Sequence, residues 1–147
     1  MSEPHPTEQR SSSLKLRPDL HGRGEHILHL DDEPTVTLSV QRLLQKLGYH
    51  VAAFNVPASA LEHFRTDPHR YHLILTDLMM PGMNGLQFAA EVLALRPGLP
   101  VVMFSAFSNG CSADEVRRCG IREVILKPAG LIPIAEAIRR ALDSHSP

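Results

Sequence analysis

Between His26 and Leu142 a short apolar run gives way to an amphipathic helical stretch five times in succession. The apolar runs are Ile27–Leu30, His50–Phe54, Leu73–Thr76, Val101–Phe104 and Val124–Leu126. They are too short for helices and read as buried strands. The intervening stretches change to helical spacing. In Pro34–Leu47, residues Val36, Val40, Leu43, Leu44 and Leu47 share one face, and Gly48 follows as a helix-terminating glycine. Pro57 to about Arg65 carries Leu61 and Phe64 inward, and Gly85–Leu95 is closed by Pro97-Gly98. Ser112-Ala113-Asp114-Glu115 is a capping box, so a fourth helix is expected from Ala113 to about Cys119, where Gly120 stops it. The last helix, Pro133–Leu142, puts Ile134, Ala137, Ile138 and Ala141 on one side. Five strand–helix units in a row predict an α/β fold, a parallel sheet with helices on both faces. Right-handed crossovers make that sheet doubly wound. Sites in such sheets lie at the carboxyl ends of the strands.

Three of those ends carry chemistry. Ile27-Leu28-His29-Leu30 runs into Asp31-Asp32-Glu33, Leu73-Ile74-Leu75-Thr76 delivers Asp77 to a Pro/Gly-rich loop, and Val124-Ile125-Leu126 runs into Lys127-Pro128. A carboxylate can accept a phosphoryl group as an acyl phosphate. The incoming group is multiply negative and needs cations beside it. Magnesium takes oxygen ligands, which Asp31, Asp32 and Asp77 would supply, together with a loop carbonyl. Lys127 would neutralise a phosphoryl oxygen, and Ser105, at the end of the fourth strand, would donate a hydroxyl to another. Each piece also has a plainer reading. Acids after a strand often serve as helix N-terminal charges, a lysine is often a solvated surface group, and a serine is often a cap.

Composition bounds the rest. The 147 residues suit one domain, and a hydrophobic content of 43% suffices for a core. A net charge of −1 gives no electrostatic argument for nucleic acid or an anionic membrane. Apolar runs fall far short of the ~20 residues of a membrane span, and no signal-peptide core is present. Cys111 and Cys119 do not make a disulfide framework, so a cytoplasmic, reduced protein is expected. Met1 to Gly24 holds three prolines and a Ser11-Ser12-Ser13 run, and reads as a flexible tail or linker. The domain is expected over 25–143, with a short C-terminal tail over 144–147. The histidines offer no good metal pair, and His69 and His72 read as surface residues.

The chain resembles the receiver domain of two-component response regulators. The resemblance rests on Leu28-His29-Leu30-Asp31-Asp32-Glu33-Pro34, on Thr76-Asp77 through Asn84-Gly85, on Phe104-Ser105-Ala106 and on Leu126-Lys127-Pro128. It implies a flavodoxin-like (βα)5 fold with strand order 2-1-3-4-5. It further implies that Asp77 is phosphorylated, that Asp32 binds Mg2+ directly (Mn2+ being an alternative), and that Asp31 supports the metal shell. Met79 would ligate through its backbone carbonyl, Ser105 and Lys127 would bind the phosphoryl group, and the peptide before Pro128 would be cis. The implied partner is a histidine kinase or histidine phosphotransfer protein, with an unidentified downstream target. A homodimer through the face of the fourth helix, fifth strand and last helix is also within the family's range.

Three departures stand out. Val124 occupies the position where the family commonly has an aromatic that turns inward on phosphorylation. Met79 and Phe107 put apolar side chains where the hydrolytic water would pass, which predicts slow dephosphorylation. His29 replaces the usual aliphatic residue of the first strand and reads as a core histidine. On the first helix, Leu38 lies about 200° from Val36 at ~100° per residue. It points away from the core stripe and becomes a candidate for docking the kinase. Only residues 129–147 follow Lys127-Pro128, too few for an output domain, which predicts either a stand-alone receiver or the C-terminal receiver of a hybrid sensor kinase. The competing class, haloacid-dehalogenase-like phosphatases, resembles Asp-x-Asp at one strand end; Asp77 is followed by Leu78-Met79, with no acid two residues later, and Asp31-Asp32-Glu33 is a poorer match.

Overall fold

A computed structural model describes residues 17–105, 113–126 and 130–144. Its strands are β1 (His26–Leu30), β2 (His50–Phe54), β3 (Leu73–Asp77), β4 (Val101–Ser105) and β5 (Glu123–Leu126). Its helices are α1 (Pro34–Lys46), α2 (Pro57–Thr66), α3 (Gly85–Leu95), α4 (Ala113–Arg118) and α5 (Leu131–Asp143). The strands form one sheet in the order β2-β1-β3-β4-β5, and every pairing is parallel. The expected fold class and strand order are both met.

Alternation along each strand splits the core in two. Ile27, Leu73, Leu75, Val102, Phe104 and Ile125 face α1 and α5, where they meet Val40, Leu44, Ile134 and Ile138. Leu28, Leu30, Ile74, Val101 and Met103 face the other way, onto Phe64 of α2, Phe88 and Val92 of α3 and Val116 of α4. The central strands β3 and β4 are buried at every position, which is why they read as continuous apolar runs rather than alternating ones. His29 is a core residue, 1% exposed.

Element boundaries follow local chemistry. Leu47 caps α1, and Gly48 beyond it has φ +99°, a left-handed turn that lets the chain reverse into β2. Helix α3 opens with a reciprocal box in which Asn84 Oδ1 accepts from Gln87 N at 2.8 Å and Gln87 Oε1 accepts from Asn84 N at 2.9 Å. Helix α5 begins at Leu131, two residues before the expected Pro133, because a proline in the first turn gives up no intrahelical hydrogen bond. The capping serine anticipated at Ser112 lies outside the described residues.

The boundary of the N-terminal tail moves. Residues 17–24, expected to belong to a flexible linker, pack on the domain: Pro18–Leu20 is a 3-10 turn whose Leu20 is 3% exposed and joins the α1/α5 core. Gly22 N donates to Leu47 O at 2.7 Å and Gly24 N to Gly48 O at 3.1 Å. Arg139 of α5 fixes this strap. Its guanidinium donates to Glu25 Oε2 and Asp143 Oδ1, both at 2.8 Å, to Tyr49 OH at 3.2 Å and to the His21 carbonyl at 3.4 Å. At the same, amino-terminal end of the sheet His26 stacks on His50 with ring centroids 4.6 Å apart and on His72 at 6.0 Å. His72 is thus tied to the strand edge, its Nδ1 accepting from His26 N at 2.9 Å.

Candidate functional site

The opposite end of the sheet gathers the acids. Asp31 directly follows β1, Asp77 ends β3 and Ser105 ends β4, so three neighbouring strands deliver polar groups to one rim. Register brings them level: Leu30 pairs with Thr76, Asp77 with Phe104, and Ser105 with Leu126. One carboxylate oxygen from each of Asp31, Asp32 and Asp77 lies within 4.8 Å of the others. Asp31 is 0%, Asp77 5% and Ser105 1% exposed, whereas Asp32 opens to solvent. Burying two carboxylates this close costs on the order of 3 kcal/mol of mutual repulsion at an effective dielectric of about 20. Stability alone does not call for that arrangement, and a cation bound among them reverses its sign. An all-oxygen donor set of this kind fits a hard divalent ion such as Mg2+.

The loops around the rim are held from below. Asp31 N donates to Phe54 O at 3.1 Å, and Asp31 Oδ1 accepts from Glu33 N at 2.9 Å. The Asp31 carbonyl accepts from Asn55 Nδ2 at 2.9 Å, and the same amide donates to Thr37 Oγ1 at 3.0 Å. The loop after Asp77 is closed by Leu78 N on Phe104 O and by Gly85 N on Leu78 O, at 3.2 and 2.8 Å. That closure needs glycine at residue 85. A Cβ there would lie 2.2 Å from the Asp77 carbonyl oxygen and 3.0 Å from Leu78 Cα. Gly85 stands in the sequence motif, but its clearance against the Asp77 backbone becomes visible only in the fold. Asn55 was not foreseen at all, because its contacts run to a backbone carbonyl and a hydroxyl on other elements.

Met79, two residues after Asp77, is 54% exposed. Val124 is 46% exposed on β5, paired with Met103. Leu38 is 47% exposed on the outer side of α1, while Val40, Leu43 and Leu44 are buried. Lys127, Pro128 and Phe107 lie outside the described residues, so of the expected basic partner only the approach is seen, where β5 ends at Leu126 opposite Ser105.

The profile of the response regulator receiver domain matches residues 27–139. The chain belongs to this family. As a receiver domain it is 34% identical over 105 residues to the two-component response regulator ARR10 of Arabidopsis thaliana, covering 71% of this chain and 19% of that protein. It is 32% identical over 121 residues to the transcriptional regulatory protein ZraR of Escherichia coli K12, covering 82% of this chain and 27% of that one. The chain thus spans well under a third of either relative's length. Among solved structures, a receiver domain protein from Clostridium thermocellum superposes with a TM-score of 0.77 at 23% identity, over 82% of this chain and 95% of that one, a likeness of fold. A response regulator from Thermotoga maritima, solved in complex with Mg2+ and BeF, superposes with a TM-score of 0.71 at 25% identity, over 80% and 99% of the two chains. Receiver domains are signalling domains of two-component systems, and their acidic pocket, here Asp31, Asp32 and Asp77, is the family's Mg2+ site. Membership decides against the dehalogenase-like alternative. No described helix is long and apolar enough to cross a membrane.

Proposed function

We propose that Asp77 accepts a phosphoryl group from a phosphohistidine of a partner kinase or phosphotransfer protein, and that the phosphorylated domain signals by binding a target. The observation that carries this reading is the convergence of three carboxylates within 4.8 Å at adjacent strand ends, with Ser105 on the next strand. In the transfer, an Asp77 carboxylate oxygen forms a bond to phosphorus as the bond to the donor imidazole nitrogen breaks. Asp32, Asp77, the Met79 carbonyl and the supporting Asp31 would hold Mg2+ (or Mn2+), which when bound would supply the positive charge that the phosphoryl oxygens need. Ser105 and Lys127 each take one of the other oxygens, by hydroxyl and ammonium. These groups act by position and electrostatics and undergo no covalent change themselves.

Transmission differs from the aromatic pattern. Val124 has no ring to turn inward, so the response to phosphorylation runs through Ser105 and the loop that follows it. Leu38, exposed on α1, with Ser39 and Gln45 at its rim, is the proposed contact for the kinase's histidine-bearing helices. The reading places the domain in the cytoplasm, with no nucleic acid or membrane partner of its own. It admits a dimer through α4, β5 and α5. Incubation with a small acyl phosphate and Mg2+, followed by intact-mass analysis, tests the central claim. One phosphoryl group per chain is expected, absent in Asp77→Asn. Catalytic turnover of the donor without a stable adduct, or labelling that survives Asp77→Asn, would refute it.

A further inference from the structure

We infer that Asn55 is a positioning residue for the metal-binding loop, and that it sets the affinity of the site for Mg2+ in this protein. The inference rests on the Mg2+ reading of the three carboxylates given above. Asn55 sits just past β2, outside the carboxylate cluster, yet its side-chain amide spans two elements that carry or flank that cluster. One N–H goes to the Asp31 carbonyl at 2.9 Å and the other to Thr37 Oγ1 at 3.0 Å. Thr37, 4% exposed in the first turns of α1, passes its own proton to the Pro34 carbonyl at 3.0 Å. The donor sense is therefore fixed. A carbonyl can only accept, and a hydroxyl already donating to Pro34 accepts from Asn55, so the amide nitrogen must face both.

The relay matters because Asp31 Oδ1 on Glu33 N and Thr37 Oγ1 on Pro34 O hold the turn within itself, whereas Asn55 links it by a side chain to the end of β2. Helix α1 starts from Glu33 without a side-chain cap and with Pro34 in its first turn. Asp31 is gripped at its N–H by Phe54 O, at its carboxylate by Glu33 N and at its carbonyl by Asn55. Asp32, the solvent-open carboxylate, follows that carbonyl directly. The peptide plane between Asp31 and Asp32 is thus oriented by Asn55, and with it the direction in which Asp32 leaves the backbone. Groups one step removed from a metal commonly change its affinity by about 10- to 100-fold when lost.

Calorimetric or NMR titration of the unphosphorylated protein with MgCl2 tests this, alongside melting of the metal-free form. Asn55→Ala is expected to weaken Mg2+ binding by about tenfold. In acyl-phosphate labelling the half-saturating Mg2+ concentration rises by the same factor, while the maximal rate falls far less. Thr37→Val, which removes the hydroxyl but leaves the Asn55–Asp31 bond, is expected to fall between wild type and Asn55→Ala. A lowered melting temperature with wild-type Mg2+ affinity would reduce Asn55 to a structural role and overturn the inference. Should Asn55→Ala not fold, Asn55→Ser, too short to span both acceptors, carries the same comparison. If wild type itself shows no Mg2+ binding sensitive to Asp77→Asn, the reading of the site fails first and takes this inference with it.

Discussion

Replacing Gly85 by alanine adds one methyl group beside Asp77 and should damage both stability and the proposed chemistry. Two effects oppose each other. Gly85 is the first residue of α3 and has no positive φ, so alanine brings no backbone strain. Its better helix propensity would stabilise the fold by at most ~1 kcal/mol. Against that, the new Cβ would sit 2.2 Å from the Asp77 carbonyl oxygen, about 0.8 Å inside the 3.0 Å that real Cβ contacts respect. The obstacle is backbone on both sides, so no side chain can swing away. Overpacking of this kind costs about 1–3 kcal/mol, and the clash should win, leaving the variant about 1–2 kcal/mol less stable. That corresponds to a melting temperature lower by roughly 4–8 °C for a domain of this size. The same displacement moves Asp77 relative to Asp31 and Asp32. Misplacement approaching 1 Å can cost a reaction about 100-fold, so labelling by acyl phosphate should slow by about 10- to 100-fold even at saturating Mg2+. Calorimetric melting and intact-mass time courses of wild type and Gly85→Ala decide the matter. An alanine variant as stable and as quickly labelled as wild type would show that the loop after β3 yields freely, and the close-approach argument would be wrong.

Other perturbations read other parts of the molecule. Met79→Asn puts a polar amide where an exposed thioether now stands; loss of phosphate from labelled protein in Mg2+ should quicken several-fold, followed by mass, and an unchanged rate would remove Met79 from the control of hydrolysis. Leu38→Glu should cut phosphotransfer from the cognate kinase by about tenfold or more while leaving acyl-phosphate labelling intact, since the residue faces solvent on α1; equal phosphotransfer would reject the docking role. Arg139→Met strands Glu25, whose side chain is 15% exposed, and should cost about 2–4 kcal/mol in denaturant unfolding at neutral pH. The pH dependence has a definite sign. Burial pushes the Glu25 carboxyl up, but donation from the backbone N–H groups of Arg23 and Glu25 and from Arg139 outweighs it, and the net is downward. Donation from Arg139 likewise lowers Asp143. Both depressed groups stabilise the fold above the ordinary carboxylate range, about pH 4, and lose that contribution as pH falls below it. The acid-side loss of stability should therefore be shallower in Arg139→Met, and a curve parallel to wild type would refute the coupling.

Much of the architecture is legible in the residues, for reasons that can be named. Strand β2 and helix α3 begin and end where expected because Gly48, Pro97 and Gly98 interrupt the periodic stretches. The three acids are legible because they stand at the ends of two apolar strands, and parallel pairing brings strand ends to one rim without further information. The strap at residues 17–24 is hidden because Leu20 is a lone apolar residue with no period, and its burial depends on a core shared by α1 and α5 that exists only once both pack on the sheet. Gly85 and Asn55 are hidden for a different reason. Gly85 stands in the motif after Asp77, but it works there by an absent atom whose clearance the motif does not show, and Asn55 works by contacts to backbone and hydroxyl oxygens on distant segments that leave no pattern in local sequence. The stacking of His26, His50 and His72 follows from strand register, which brings together residues that are 24 and 46 positions apart.

Arg139 holds a carboxylate from just before the first strand and another from the end of the last helix in a single guanidinium. The place where the domain's backbone enters and the place where it leaves are therefore neighbours, at the pole remote from Asp77. A short glycine-rich bridge could close them into a ring, with new ends opened at the exposed Pro97-Gly98 turn, and the carboxylate rim would be undisturbed. Polypeptide joined at either end would likewise hang from the base of the sheet and leave the mouth of the site open to a kinase.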